Sequence, residues 1–412
     1  MDNSVSSALE QWEEHLHSFV YIPDNLHSGP NTPAVNYVDT SRRTVDLSAL
    51  TVGVKDIIDV QGMPTCNGSE VCSQATPANT DAEVVAALRR AGARIIGKTT
   101  TTEFAYTDPT DCRNPYDLNR SPGGSSSGSG AAVAAGLVDM ALGTQTAGSL
   151  CRPAAYCGVV CYKPSYGRFS TQGVTPLAKS FDTVGIIARS VAVARQGAQA
   201  MGLPESTTAQ SKSRLASVLL PTNVLAKPEA LDAFTDAFRA LKQQYSDIRA
   251  CKLEIDVDAI VSAHKTVMNA EAAQAHRHLL APELSQSLRP RFRQAIHAGA
   301  LISDKELESA REILDAAKQH FWQELYRVDS LLTLPVPDGA PLLDGTTGYQ
   351  DWLTPWTVFG GPLVCLPWGL DSLGRPRSIM LAGKPDEDMS LLNLAEKLEK
   401  RAPMVPGPTL PI

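Results

Sequence analysis

An α/β fold with a mixed β-sheet core flanked by helices is predicted for this chain on three observations. Short β-branched apolar runs alternate with helical runs along most of the sequence, the pattern of strands and helices packed in layers. The composition, 43% apolar and 20% charged over 412 residues, is that of an ordinary globular protein. A chain of this size buries about three-quarters of its unfolded surface, enough for a large sheet core.

The elements follow in order. TVGVKDII (51–58) reads as a strand, DAEVVAALRRAG as a helix begun at Thr80-Asp81 and ended by Gly92, and ARIIG (93–97) as the next strand. Between 121 and 150 lies SPGGSSSGSGAAVAAGLVDMALGTQTAGSL, with seven Gly, six Ser and a single charge, Asp139. A flexible linker would share the Gly and Ser but not the apolar interior, where AAVAAGLV suits a close-packed helix and MALGT a short buried strand. Strands are expected again at CGVVCYK (157–163), ASVLLP (216–221), the polar IRACKLEI, DSLLTLPVP (329–337), PLVCLPW (362–368) and RSIMLAG (377–383). Helices are expected over 227–247, over most of 256–328 with a break near Gly299 and Leu301-Ile-Ser-Asp304, and over 389–400. Pro/Gly stretches at 335–346 and 403–411 read as a loop and a tail.

Charge and composition exclude several classes. With 37 Lys+Arg against 44 Asp+Glu, the net charge of -7 offers no basic face to nucleic acid or an anionic membrane. No apolar run approaches a spanning helix, and the polar, acidic residues 1–14 lack a signal-peptide pattern, so a cytoplasmic protein is expected. Eight cysteines form no C-x-x-C pair and are expected as reduced thiols. No metal-ligand spacing appears, so no catalytic metal or cofactor is expected.

Three motifs fail their context. Gly92 to Thr99 matches a phosphate loop letter for letter, but a helix precedes it and strand-like ARII fills it. Gly124-Ser-Ser-Ser-Gly128 matches a nucleophile elbow, yet a polar loop precedes it where that motif needs a buried strand. Ser262-Ala-His-Lys265 matches S-x-x-K without its partner motifs and reads as an exposed helix face.

No histidine lies between His27 and His264, so a serine in the Gly/Ser window is expected to be activated by another base. A desolvated lysine can lose its proton near neutrality. Lys55, flanked by apolar VGV and II, is the candidate; a solvent-facing lysine paired to Asp56 or Asp59 fits the alternation equally well.

Residues 121–167, with VGVKDIID upstream and GVTPLAKSFDTVGIIARS (173–190) downstream, resemble the amidase signature family strongly over 52–190 and diffusely elsewhere. The resemblance implies one large α/β domain over 1–412, a signature core at 52–190, and a helical subregion at 222–328 shaping the substrate pocket. It implies a Ser–cis-Ser–Lys triad: Lys55 as base, Ser125 as bridging serine after a cis peptide bond, Ser149 as nucleophile. The backbone N–H groups of Thr146, Ala147, Gly148 and Ser149 would form the oxyanion hole. Thr144, Gln145 and Arg152 are the substrate-binding candidates, with Gln145 and Arg152 resembling the compact branch that includes malonamidase. There the arginine would grip a substrate carboxylate, for which its planar fork is suited; an internal ion pair is the other reading. Ala147, where related sequences carry glycine, would narrow the oxyanion turn. The resemblance thus implies hydrolysis of a small amide, carboxylate-bearing in the malonamate-like case, through an acyl-enzyme. Alternatives are an acyl-transferring biosynthetic enzyme and an A-type component of an amidotransferase complex. A small-molecule amide is the implied partner, with a homodimer left open.

Overall fold

The computed structural model describes residues 3–23, 45–205 and 214–410. Among these an 11-stranded sheet runs in the order β1-β3-β2-β4-β6-β5-β10-β11-β9-β7-β8. The strands are β1 (Phe19–Tyr21), β2 (Thr51–Lys55), β3 (Arg94–Thr99), β4 (Met140–Gln145), β5 (Val160–Lys163), β6 (Thr183–Ala188), β7 (Leu215–Ser217), β8 (Arg249–Ala250), β9 (Ser330–Thr333), β10 (Leu363–Leu370) and β11 (Pro376–Gly383). The helices are α1 (Asn3–Leu16), α2 (Glu83–Arg90), α3 (Ser127–Ala134), α4 (Cys151–Cys157), α5 (Val191–Ala200), α6 (Pro228–Lys242), α7 (Val257–Ala275), α8 (Pro282–Ser285), α9 (Pro290–Gly299), α10 (Asp304–Glu324), α11 (Thr354–Val358) and α12 (Asp388–Glu399). β2 pairs in parallel with β3 and β4, β4 pairs antiparallel with β6, and antiparallel pairs continue through β5, β10, β11 and β9. The sheet is therefore mixed, as the alternation of elements predicts.

Strands buried on both faces read as continuous apolar runs rather than alternating ones. β2, β4 and β6 are buried at every position, which is why MALGTQ and TVGIIA show no polar face. α3 is buried from Ser127 to Val133, and its small residues let it sink close to the sheet. A Cβ on Gly128 would stand 2.1 Å from the Ser18 carbonyl oxygen, and one on Gly143 of β4 would stand 2.7 Å from Ser126 Oγ. Both contacts need glycine, and the second lets the serine-rich segment close over the end of β4.

Two local expectations shift. The strand expected over 157–163 begins only at Val160, because Cys151–Cys157 forms buried α4 and Gly158 closes it in the left-handed conformation (φ 63°). IRACKLEI supplies only the two-residue β8, since its side chains at Arg249 and Ala250 are exposed and its apolar run is short. The polar, acidic N-terminal stretch forms α1. The break before α10 is a capping box, with Ser303 Oγ accepting from Glu306 N–H and the Glu306 carboxylate accepting from Ser303 N–H. The C-terminal stretch is irregular through 410, and residue 411 lies outside the described residues. Residues 222–328 carry α6 to α10, and α7 packs against α9, α10 and α11.

Candidate active site

The carboxyl ends of adjacent parallel strands β2 and β4 stand side by side, the position where open α/β sheets gather their ligands. Lys55 is the last residue of β2 and Gln145 the last of β4, so strand pairing alone brings the expected base beside the loop that carries Ser149. Gly124–Ser125 is a cis peptide bond, at the position the family resemblance assigns.

Lys55 is fully buried and faces neither Asp56 nor Asp59. Its Nζ lies 2.6 Å from Ser125 Oγ and 2.8 Å from Thr144 Oγ1. Burial lowers its pKa to about 7, with the charge of Asp182 raising it and that of Arg152 lowering it further. At neutral pH a large fraction of Nζ therefore carries a lone pair, aimed by two hydroxyls. Thr144 thus orients the lysine.

The loop after β4 is held by its carbonyls. Thr146 O accepts from His264 Nε2 at 2.8 Å, Ala147 O from Thr357 Oγ1 at 2.6 Å, Gly148 O from Arg152 N–H at 3.0 Å, and Ser149 O from Ser126 N–H at 3.2 Å. Among the described residues, the N–H groups of Thr146, Ala147, Gly148 and Ser149 donate to no protein group. Four consecutive anchored carbonyls thus leave four consecutive donors free, the arrangement that receives an anion. Thr146 Oγ1 donates to Asp182 Oδ1 at 2.6 Å, while Asp182 Oδ2 accepts from Leu177 and Ala178 N–H. Burial raises Asp182 to about 6 despite these hydrogen bonds. Ala147 is buried without a positive φ, so its Cβ imposes no backbone strain.

Gln145 and Arg152 are both held by protein groups. Gln145 Oε1 accepts from Leu150 and Cys151 N–H, both at 3.0 Å, and its Nε2 donates to Thr357 Oγ1 at 3.0 Å. These bonds tie the loop after β4 to α4 and α11, so Gln145 positions the loop. Arg152 is fully buried, with Nε (3.1 Å) and Nη2 (2.6 Å) on Gly124 O and Nη1 on Gly348 O at 3.4 Å. Backbone carbonyls thus occupy the guanidinium fork, and among the described residues no carboxylate pairs with it. Arg152 grips the carbonyl of the cis peptide unit and places a positive charge near Lys55.

His264 is a site residue that the sequence reading missed. It lies within Ser262-Ala-His-Lys265, where Ser262 and Lys265 face outward but His264 is buried. The carbonyl partner can only accept, so Nε2 carries the proton, and burial lowers the pKa to about 4, leaving the ring neutral. The signal that could have found it is the apolar spacing of Val257, Ile260, Ala263, Val267 and Met268, which puts 264 on the inward face of α7. A histidine does reach the loop after β4, then, as a prop for its carbonyl.

A cavity of about 490 Å³ is lined by His264, Lys265 and Met268 of α7, Arg291 of α9, and Thr347 and Asp351 of the segment before α11; it meets the loop after β4 through His264, and Lys55, Ser125 and Ser149 are not among its lining residues. Its wall adjoins the cis peptide, since a Cβ on Gly124 would stand 2.9 Å from Thr347 Cγ2.

The phosphate-loop lookalike is structural, as expected. Its Lys98 is buried in β3 and pairs with Asp56 at 3.0 Å while donating to Pro64 O and Thr65 Oγ1.

Comparison with known proteins agrees with the resemblance drawn from the sequence. The profile of the Amidase family matches residues 34–392. The chain is 31% identical to the A subunit of glutamyl-tRNA(Gln) amidotransferase from Anaeromyxobacter dehalogenans, over 90% of its own length and 86% of that protein. It is 29% identical to the putative amidase AmiB2 of Mycobacterium tuberculosis over 96% of its length and 90% of the relative. A crystal structure of an amidase superposes with a TM-score of 0.81 at 26% identity, covering 97% of this chain and 95% of the other. With the family profile spanning most of its length and these relatives aligned nearly end to end, the chain belongs to the amidase family.

Proposed function

We propose that this chain hydrolyses the carbon–nitrogen bond of a small amide through an acyl-enzyme on Ser149. Neutral Lys55 takes a proton from Ser125 Oγ, Ser125 takes one from Ser149 Oγ, and Ser149 attacks the amide carbonyl. The developing oxyanion meets the N–H groups of residues 146–149, the kind of preorganised donor set that gives the largest single contribution in acyl transfer. The proton returns through Ser125 to the departing amine, which leaves as the C–N bond breaks. Water then adds to the acyl-enzyme by the same relay and releases the acid. The observation that carries this reading is the loop itself, with four engaged carbonyls and four free N–H groups one strand away from a buried lysine on a serine.

The acyl portion of the substrate extends into the 490 Å³ cavity, whose walls come partly from the helical subregion through α7 and α9. Its volume suits a small molecule. With Arg152 on backbone carbonyls, and Arg291 Nη1 and Nη2 likewise on Thr107 O and Gly345 O, a carboxylate-bearing amide draws its counter-charge from Lys265 at the cavity wall.

Ammonia release by the purified chain from a panel of primary amides and amidated dicarboxylic acids tests the proposal. Turnover that disappears in Ser149→Ala and falls by about 10²–10⁴-fold in Lys55→Ala supports it. Near-normal activity in either variant rejects the triad. The amidotransferase relative supplies a second reading, ammonia transfer within a complex, under which the chain alone releases none.

A further inference from the structure

Three cysteines far apart in sequence converge in the core. Cys151 opens α4, Cys161 lies in β5, and Cys365 lies in β10, directly opposite Cys161 in the antiparallel register. Their sulfurs all lie within 4.8 Å of one another, with Cys161 Sγ 3.9 Å from Cys151 Sγ, and all three residues are fully buried. A metal–sulfur bond of about 2.3 Å places three sulfurs around one ion about 4 Å apart. The Cys151–Cys161 pair therefore already stands at the spacing of a shared ion, and Cys365 lies within 4.8 Å of both.

We propose that Cys151, Cys161 and Cys365 form a buried three-sulfur site that takes one cuprous ion. Ligand type and number point to that ion. Thiolates are soft ligands and select soft ions. Among the described residues no fourth Cys, His, Asp or Glu joins the cluster, so the tetrahedral closure of a structural zinc site is lacking. Cu(I) accepts three sulfurs in a plane.

Charge is provided for as well. Lys163 follows Cys161 by two residues on β5, hence on the same face, and is itself fully buried, with Nζ on Pro164 O. Loading forms three Cu–S bonds and releases two thiol protons to solvent. Two thiolates, one retained thiol, Cu(I) and protonated Lys163 then sum to zero charge. No electron is transferred.

The test uses the full chain with Cys66, Cys72 and Cys251 replaced by alanine, which removes the partly exposed thiols. It is incubated anaerobically with Cu(I) supplied as its acetonitrile complex, then desalted. One copper per chain, with an X-ray absorption spectrum that counts three sulfur neighbours, is expected. Loss of that copper in Cys161→Ala and Cys365→Ala, and its retention in Cys157→Ala, a buried cysteine outside the cluster, is expected too. The absorption spectrum decides the matter even where a core variant fails to fold. Absence of bound copper, fewer than three sulfur neighbours, or equal copper in the folded Cys161→Ala and Cys365→Ala variants would overturn the proposal.

Discussion

Burial turns Lys55 from an ordinary ammonium into a group that titrates near pH 7, and the sign of the pH dependence follows. In the proposed relay the neutral amine is the competent base, so kcat/KM is expected to rise as pH climbs through about 7 and to level off above it. Asp182 raises the Lys55 pKa, so Asp182→Asn moves the rising limb to lower pH; Arg152 lowers it, so Arg152→Gln moves the limb upward. Profiles of kcat/KM from acid through alkaline pH read both shifts, and a limb that stays in place in both variants removes Lys55 as the titrating base. Because Arg152 binds the Gly124 carbonyl, Arg152→Ala is expected to depress neutral and carboxylate-bearing amides alike. A selective loss on carboxylates would instead make it a substrate anchor.

At the scale of elements, strand ends and loops divide the labour. The ends of β2 and β4 deliver Lys55 and Gln145, and α7 sends His264 back to the loop between β4 and α4. A neutral hydrogen bond contributes about 0.5–1.5 kcal/mol. On that scale His264→Ala is expected to lower kcat about 2–10-fold with KM little changed, as a looser oxyanion loop would. A KM effect of equal size would place His264 in substrate binding instead. The lookalike phosphate loop makes a different prediction. Lys98 and Asp56 are both buried, and removing one partner of such a pair costs about 3–5 kcal/mol. Lys98→Met should lower the denaturation midpoint accordingly, and an unchanged midpoint would show that Asp56 has found another partner. The same elements show what is legible in the sequence. β2, α2, β3, α3 and β4 are readable because strand and helix periods differ and Gly92 marks a boundary. α4 is not, because seven residues of CRPAAYC are too few to show a helical period, and the short β8 has no buried face to reveal it.

Across the whole molecule, one sheet of eleven strands joins the signature region to the C-terminal hairpin of β10 and β11, through the pairing of β5 with β10. Residue patterns are local, so contacts between distant segments leave little mark on them. Lys55, Ser125 and Ser149 can be nominated from sequence because a motif carries them, whereas Thr357 on Ala147 O and the cluster of Cys151, Cys161 and Cys365 exist only once the sheet is assembled. The partners of Arg152 are hidden for a related reason: Gly124 and Gly348 meet it through backbone carbonyls, and backbone leaves no trace in residue type. Covalent labelling with a fluorophosphonate, followed by peptide mapping, tests the nucleophile most directly. The expected result is a single adduct per chain on Ser149, absent in Ser149→Ala and strongly slowed in Lys55→Ala; an adduct on Ser125 or Ser126, or undiminished labelling of Ser149→Ala, would contradict it.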